Sequence, residues 1–143
     1  MVIVDVNVLI AAFDADHDFH GRASPWLKGR LEDPDDHVII PDIVWVGFVR
    51  IVTNAQGFPR PATMDQVTRF VRAVIASPGY GSLHPRPDRI LHFLDVTKAA
   101  GCTSRHTTDA YLASLALRLG CPIASYDRDF RRFDGLALVV PEP

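Results

Sequence analysis

The chain has 143 residues, of which 48% are hydrophobic, and a formal net charge of −2. This length indicates a single domain, residues 1–143, and the hydrophobic content excludes an intrinsically disordered protein. The charge argues against binding of nucleic acid over the whole surface, and no apolar run approaches the ~18 residues of a membrane span. Since no signal peptide is recognisable, we expect a cytoplasmic protein with no membrane partner.

The first strong signal is an apolar run at 2–4 that stops at Asp5. A run of β-branched residues predicts a strand buried in a parallel sheet, and open α/β sheets bind ligands at the carboxyl ends of their strands. Asp5 is therefore a candidate functional residue. The alternative is that Asp5 or Asn7 only caps the helix predicted at 8–13. The same pattern of an apolar run followed by an acid recurs at 123–127.

The rest of the chain alternates between predicted helices and strands. In order, we predict a helix at 20–31, a strand at 37–40, helices at 42–53 and 63–76, an edge strand at 81–84, helices at 87–100 and 107–119, a strand at 122–126, a helical turn at 127–133 and a strand at 136–140. Asp42 is the expected N-cap of its helix. The helix at 87–100 is expected to bury Ile90, Leu91 and Leu94. This alternation predicts an α/β fold with a mostly parallel central sheet.

Asp109 lies in the first turn of the helix at 107–119. It shares one helical face with Leu112, Ala113 and Ala116, and because these three are apolar we expect that face to point toward the sheet. The alternative is an acid placed in the first turn by the helix dipole. For His106, three residues earlier, we expect a surface or capping role.

Asp5, Asp109 and Asp127 lie at one edge of the sheet if the strands that end at Asp5 and Asp127 are neighbours. Carboxylates held close together raise one another's pKa and are stabilised by a cation. Oxygen ligands in this number suit Mg²⁺ or Mn²⁺ better than zinc. Such an ion lowers the pKa of its bound water and can direct that water at a phosphodiester, so the pattern indicates metal-dependent hydrolysis.

Four segments together resemble the signature segments of PIN-domain nucleases. Residues 2–9, 108–113 and 125–130 resemble the acidic motifs in order and spacing, and residues 40–54 are similar to the second segment of VapC toxins. The resemblance covers essentially the whole chain. It implies a three-layer α/β/α domain with the strand order 3-2-1-4-5 and a Mg²⁺- or Mn²⁺-dependent endoribonuclease. It also implies a VapB-type antitoxin as partner, RNA as substrate, and a homodimer or higher assembly.

The resemblance assigns roles to individual positions. Asp5, Asp109 and Asp127 match three of the family's catalytic, metal-binding acids. Asp129 matches an additional metal ligand, and Asn7 matches a polar position beside the first acid. We expect the four aspartates to hold one ion, with a second ion weakly bound or supplied with the RNA.

The chain departs from the family pattern at the second acid, which is usually a glutamate and here is Gly47. The two glutamates of the chain, Glu32 and Glu142, are far from this position. Asp42 is five residues away, about 140° around the helix, and is a poor substitute.

Two arginines are candidate contacts to substrate phosphates. Arg50 shares a helical face with Gly47, and Arg128 directly follows Asp127. Arginine suits phosphate recognition, although ordinary surface roles are the alternative for both.

Three alternatives remain open at this stage. The first is a weakened PIN domain that binds RNA or antitoxin without cutting, which Gly47 favours. The second is a haloacid-dehalogenase-like phosphotransferase, but position 7 is Asn instead of Asp, and Lys28 and Lys98 are badly placed for its active site. The third is a response-regulator receiver, which needs a lysine after a late strand.

Overall fold

The computed structural model describes residues 1–84 and 86–142. Strands and helices alternate along these residues. The strands are β1 (Val2–Val4), β2 (Val38–Ile39), β3 (Tyr80–Gly81), β4 (Ile123–Ala124) and β5 (Leu138–Val139). The helices are α1 (Val6–Phe13), α2 (His20–Glu32), α3 (Asp42–Val52), α4 (Met64–Ile75), α5 (Arg89–Ala99) and α6 (Thr107–Leu119). Two 3₁₀ turns cover Ser104–His106 and Arg128–Arg132.

The strands of the described chain form one five-stranded parallel sheet in the order β3-β2-β1-β4-β5. β1 lies at the centre, where Ile3 is aligned with Ile39 of β2 and with Ile123 of β4. All three residues of β1 are fully buried, which explains its continuous β-branched run. The predicted fold class and strand order are confirmed.

The helices form two layers around this sheet. From β1 to β2 to β3 the chain moves toward one edge of the sheet, and from β3 to β4 it returns across the sheet in the opposite direction. Because such crossovers are right-handed, α1–α4 lie on one face of the sheet and α5 and α6 on the other. α6 packs on β1 and β4, and α5 packs on α6. The core between the layers includes Phe48, Leu112 and Phe130, each at most 1% exposed.

The buried face predicted for α5 is wrong. Ile90, Leu91 and Leu94 are 56%, 65% and 52% exposed. The helix instead contacts α6 through Phe93, whose ring meets the Tyr111 ring edge-on with centroids 5.7 Å apart. Because apolar residues surround α5, its sequence does not specify which side packs.

The N-cap predicted at Asp42 is also wrong. Pro41 occupies the cap position, and Asp42 is the exposed first residue of α3. The predicted edge strand at 81–84 is Tyr80–Gly81 instead, because it pairs in register with the two-residue strand β2. Thr63 caps α4 as expected, in a reciprocal capping box with Gln66.

Over the described residues, no helix combines the length and apolar character needed to span a bilayer.

Candidate functional site

Asp5 connects β1 to α1. Its backbone N–H donates to the Ala124 carbonyl at 3.0 Å and so extends the pairing with β4, while its carboxylate accepts from the Val6 N–H at 2.6 Å as the N-cap of α1. Asp5 therefore does cap α1. This cap does not exclude a functional role, because the second carboxylate oxygen points to a polar cluster.

That polar cluster joins the ends of β1 and β4. The Ser125 hydroxyl and the Asn7 side-chain amide each donate to Asp5 Oδ2 at 2.7 Å. Ser125 Oγ in turn accepts from the Asn7 amide and from the Asp127 backbone N–H, both at 2.9 Å. The Tyr126 N–H donates to Asn7 Oδ1 at 3.2 Å. Asn7 and Ser125 thus fix the position of Asp5 relative to the chain that carries Asp127.

Ser125 is a residue that the sequence reasoning missed. It is fully buried and contacts Asp5, Asn7 and Asp127. The available signal was its position between an apolar strand and an acid, but a serine there is equally common in ordinary turns.

Asp109 lies in the first turn of α6 and its side chain is 24% exposed. Leu112, Ala113 and Ala116, which share its face, are buried, so the predicted inward orientation is confirmed. His106 Nδ1 lies 3.6 Å from Asp109 Oδ2, with the His106 side chain only 16% exposed. His106 occupies the N-cap position of α6 as expected, but it makes no side-chain cap bond and faces Asp109 instead of solvent.

Asp127 follows β4 and begins the 3₁₀ turn at Arg128–Arg132. Its carboxylate accepts from the Asp129 N–H at 2.8 Å, and the residue is exposed. The Asp129 carboxylate lies 3.4 Å from Arg132 Nη2 and is half exposed. The two acids therefore differ in what fixes their position. Asp127 closely follows β4, whereas Asp129 is paired with Arg132 on the same 3₁₀ turn.

Burial and neighbouring charge change the pKa values of two of these acids. Burial raises the pKa of Asp5 to about 6, hydrogen bonds from Ser125 and Val6 oppose this, and the charges of Asp109 and Asp127 add to it. Burial and Asp127 also raise the pKa of Asp109, while His106 and Arg132 oppose the shift. The structure thus brings Asp5, Asp109 and Asp127 within electrostatic range of one another.

The chemistry of these donors fits a divalent cation. Carboxylate oxygens are the ligands that Mg²⁺ and Mn²⁺ prefer, and a cation favours the ionised carboxylates that burial and mutual repulsion disfavour here. The geometry is less complete: within residues 1–84 and 86–142, no three His, Cys, Asp or Glu side chains are arranged so that together they could hold a metal ion. The backbone brings the acids to one edge of the sheet without closing a ligand set.

Gly47 lies beside this cluster. A Cβ atom built on Gly47 would meet Val6 Cγ2 at 3.6 Å, which is an ordinary van der Waals contact. Val6 directly follows Asp5, so a side chain at position 47 would start next to the first acid. The backbone at position 47 therefore leaves room for the Cβ atom of the glutamate that the family usually has there.

The two candidate phosphate contacts are exposed. Arg50 lies in the last turn of α3, and Arg128 begins the 3₁₀ turn. Within the described part of the chain neither forms an ion pair, so both guanidinium groups face solvent.

Comparison with known proteins gives one consistent result. A model of the PIN domain family matches residues 2–136. Two Mycobacterium tuberculosis proteins, ribonuclease VapC31 and ribonuclease VapC25, are each 34% identical over 141 residues, which is 99% of this chain and 99% of theirs.

Two solved structures share the fold. Mycobacterium tuberculosis VapC20, described as a sarcin-ricin loop cleaving toxin, has a TM-score of 0.70 at 17% identity and covers 99% of this chain and 100% of its own. Rickettsia felis VapBC2, bound to a DNA fragment from its promoter, has a TM-score of 0.69 at 13% identity and covers 97% of this chain and 98% of the matched chain.

Proposed function

The chain belongs to the PIN-domain family and, within it, to the VapC ribonucleases, and we propose that it is the toxin of a toxin–antitoxin pair that hydrolyses RNA phosphodiester bonds. PIN-domain ribonucleases are generally dependent on a divalent metal. The proposal is supported by the placement of Asp5 after β1, Asp109 in α6 and Asp127 after β4, where burial first and the neighbouring acids second raise the pKa values of Asp5 and Asp109. An acidic cluster of this kind favours a bound cation over an empty site.

We propose that Mg²⁺ or Mn²⁺ is the ion, with Asp5, Asp109 and Asp127 as its ligands and as the catalytic residues. Asp129 would complete the set from its turn. When bound, the ion supplies Lewis-acid chemistry that lowers the pKa of water and offsets charge on the phosphate.

The surrounding side chains would hold these acids in place. Ser125 and Asn7 donate to Asp5 Oδ2 and so orient Asp5 in its ionised form. His106 faces Asp109 and, when protonated, stabilises the Asp109 carboxylate. Asn7, Arg50 and Arg128 are the proposed contacts to substrate. The two arginines are exposed and can move to meet a phosphate.

A VapB-type antitoxin is the proposed partner that holds the enzyme inactive, and a homodimer or higher assembly is the proposed form. The named relatives include ribonucleases, and one related structure is a VapBC complex on promoter DNA. We place the protein in the cytoplasm, since its RNA substrate is there, and treat residues 1–143 as one catalytic domain.

Cleavage of total cellular RNA tests the proposal. The purified, antitoxin-free chain should give discrete products in Mg²⁺ or Mn²⁺, and these should disappear in EDTA and in Asp5→Asn. Asp95→Asn is the matched control, because Asp95 is an exposed aspartate on α5. Its products should equal those of the wild type. Cleavage that persists in EDTA or in Asp5→Asn would contradict the proposed site.

A second candidate function is a PIN domain that binds RNA or antitoxin without cutting. Gly47 at the usual glutamate position favours it. Folded wild-type protein that binds RNA but gives no products with either ion would select this second function.

A further inference from the structure

An aromatic pair outside the core lies next to the acidic cluster. The rings of Phe19 and Tyr126 are stacked, with centroids 4.4 Å apart and planes inclined by 21°. Phe19 lies on the connection between α1 and α2 and remains 38% exposed. It differs in this respect from Phe48, which packs against Phe13 and Phe70 and is fully buried.

Tyr126 connects this pair to the proposed active site. It lies between Ser125, which donates to Asp5, and Asp127. Its backbone N–H donates to Asn7 Oδ1, and its hydroxyl donates to the Pro141 carbonyl at 3.3 Å. Tyr126 is therefore fixed by hydrogen bonds at both its backbone and its hydroxyl. It lies next to Asp127 in the chain and supports the ring of Phe19.

Exposed arginines follow both rings in the chain, while Asp14, Asp16 and Asp18 precede Phe19. Arg22, one turn after Phe19 on α2, is exposed and close enough for its charge to lower the pKa of the Tyr126 hydroxyl, although burial has the larger, opposite effect. Arg128 is exposed two residues after Tyr126. Each ring of the pair thus has an exposed arginine within three residues in the chain, and aromatic rings with arginines bind single-stranded nucleic acid because rings stack on bases and guanidinium groups contact phosphates.

We propose that Phe19, backed by Tyr126, stacks an unpaired RNA base that neighbours the scissile phosphate. This rests on the proposed ribonuclease function and adds the residue that positions the substrate strand. Phe19 packs on Tyr126, and Tyr126 directly precedes Asp127, so this Phe19–Tyr126 platform adjoins the proposed metal ligands. Stacking is tolerant of base identity, so the platform favours unstacked strands or loops over paired duplex.

Binding of RNA with and without bases tests the platform. All proteins carry Asp5→Asn to prevent cleavage, and fluorescence anisotropy gives the Kd for oligoadenylate and for an abasic ribose-phosphate oligomer of equal length. We expect oligoadenylate to bind more tightly than the abasic oligomer. Phe19→Leu should weaken oligoadenylate binding by about 10-fold and leave abasic binding unchanged. Phe19→Tyr, which keeps the ring, should bind both as the parent does.

Two outcomes would overturn the platform. One is equal affinity of the parent for both oligomers, which needs no Phe19 variant and so does not depend on how Phe19→Leu folds. The other is a loss in Phe19→Leu that is the same for both oligomers, since this reports a general structural change.

The binding and cleavage experiments distinguish failure of the base-stacking proposal from failure of the ribonuclease proposal. Normal metal-dependent cleavage with base-independent binding refutes the platform alone. Base-dependent binding that needs Phe19, in a wild-type protein that cuts no RNA, refutes the nuclease and leaves a base-stacking RNA-binding domain.

Discussion

At the scale of single residues, the Ser125 hydroxyl contacts two of the proposed metal ligands, Asp5 and Asp127. It donates to Asp5 and accepts from the Asp127 backbone. Residues that hydrogen-bond to metal ligands in this way typically change metal affinity or activity by 10- to 100-fold when they are removed.

We predict that Ser125→Ala lowers RNA cleavage by about 10- to 100-fold, because Asp5 loses a donor and the Asp127 N–H loses its acceptor. Ser114→Ala is the matched control, since Ser114 is also buried but donates to the Tyr111 carbonyl. Initial cleavage rates at saturating Mn²⁺ measure the effect. An equal loss of activity in both variants would indicate general destabilisation instead.

Asp5 also makes stability depend on pH. Its pKa is raised from 3.8 to about 6 in the folded protein, so its ionisation above about pH 4 favours the unfolded chain. This destabilising contribution grows as the pH rises toward about 6 and is constant above that.

We predict that the destabilisation caused by ionised Asp5 decreases by roughly 2 kcal/mol of unfolding free energy when the pH is lowered from about 7 to about 4 in EDTA. The quantity to measure is the difference between wild type and Asp5→Asn in urea unfolding at each pH. Other groups, such as Asp36, whose pKa is lowered, affect both proteins and cancel. A difference that stays constant across this pH range would show that Asp5 titrates normally.

At the scale of elements, α5 and α6 differ in how well their sequences define a buried face. In α6 the apolar residues around Leu112 are buried and Gly120 ends the helix in a left-handed conformation, with φ of 62°, as the sequence predicts. In α5 the apolar residues Ile90, Leu91, Phe93 and Leu94 lie on several sides. Packing on α6, which includes the contact of Phe93 with Tyr111, selects the Phe93 side, and these long-range contacts cannot be read from α5 alone.

We therefore predict that Leu91→Ala costs less than about 0.5 kcal/mol of unfolding free energy, because Leu91 is 65% exposed. Leu112→Ala, at 1% exposure, should cost about 2–5 kcal/mol through lost burial and the resulting cavity. Urea unfolding of the isolated protein compares them. A large loss for Leu91→Ala would mean that the face is covered in solution.

At the scale of the whole molecule, the proposed metal site is assembled from segments far apart in the chain. Asp5 and Ser125 are 120 residues apart and meet because β4 pairs with β1. The apolar runs that end at Asp5 and Asp127 predicted this proximity on the condition that their strands are neighbours, and the strand order that the family resemblance implies supplied that condition. The sequence did not predict how far the acids converge, because that depends on side-chain contacts such as the one between Asp129 and Arg132.

We predict that Mg²⁺ or Mn²⁺ stabilises the fold, since the cation offsets repulsion among Asp5, Asp109 and Asp127. At about 100 times the dissociation constant, the gain is about 2.7 kcal/mol, or roughly 5–10 °C in Tm. Differential scanning calorimetry against EDTA measures it. Asp127→Asn should reduce the shift and Asp95→Asn should not. An unchanged Tm with millimolar ion would contradict a cation site at these acids.

The open space at Gly47 has a consequence for how this enzyme can change. A Cβ atom there meets Val6 at van der Waals distance, so the helix can accept a side chain that begins at this point. Glycine and glutamate codons can differ by a single base. A carboxylate at position 47, in addition to the four aspartates of the proposed site, can therefore arise by a single base change.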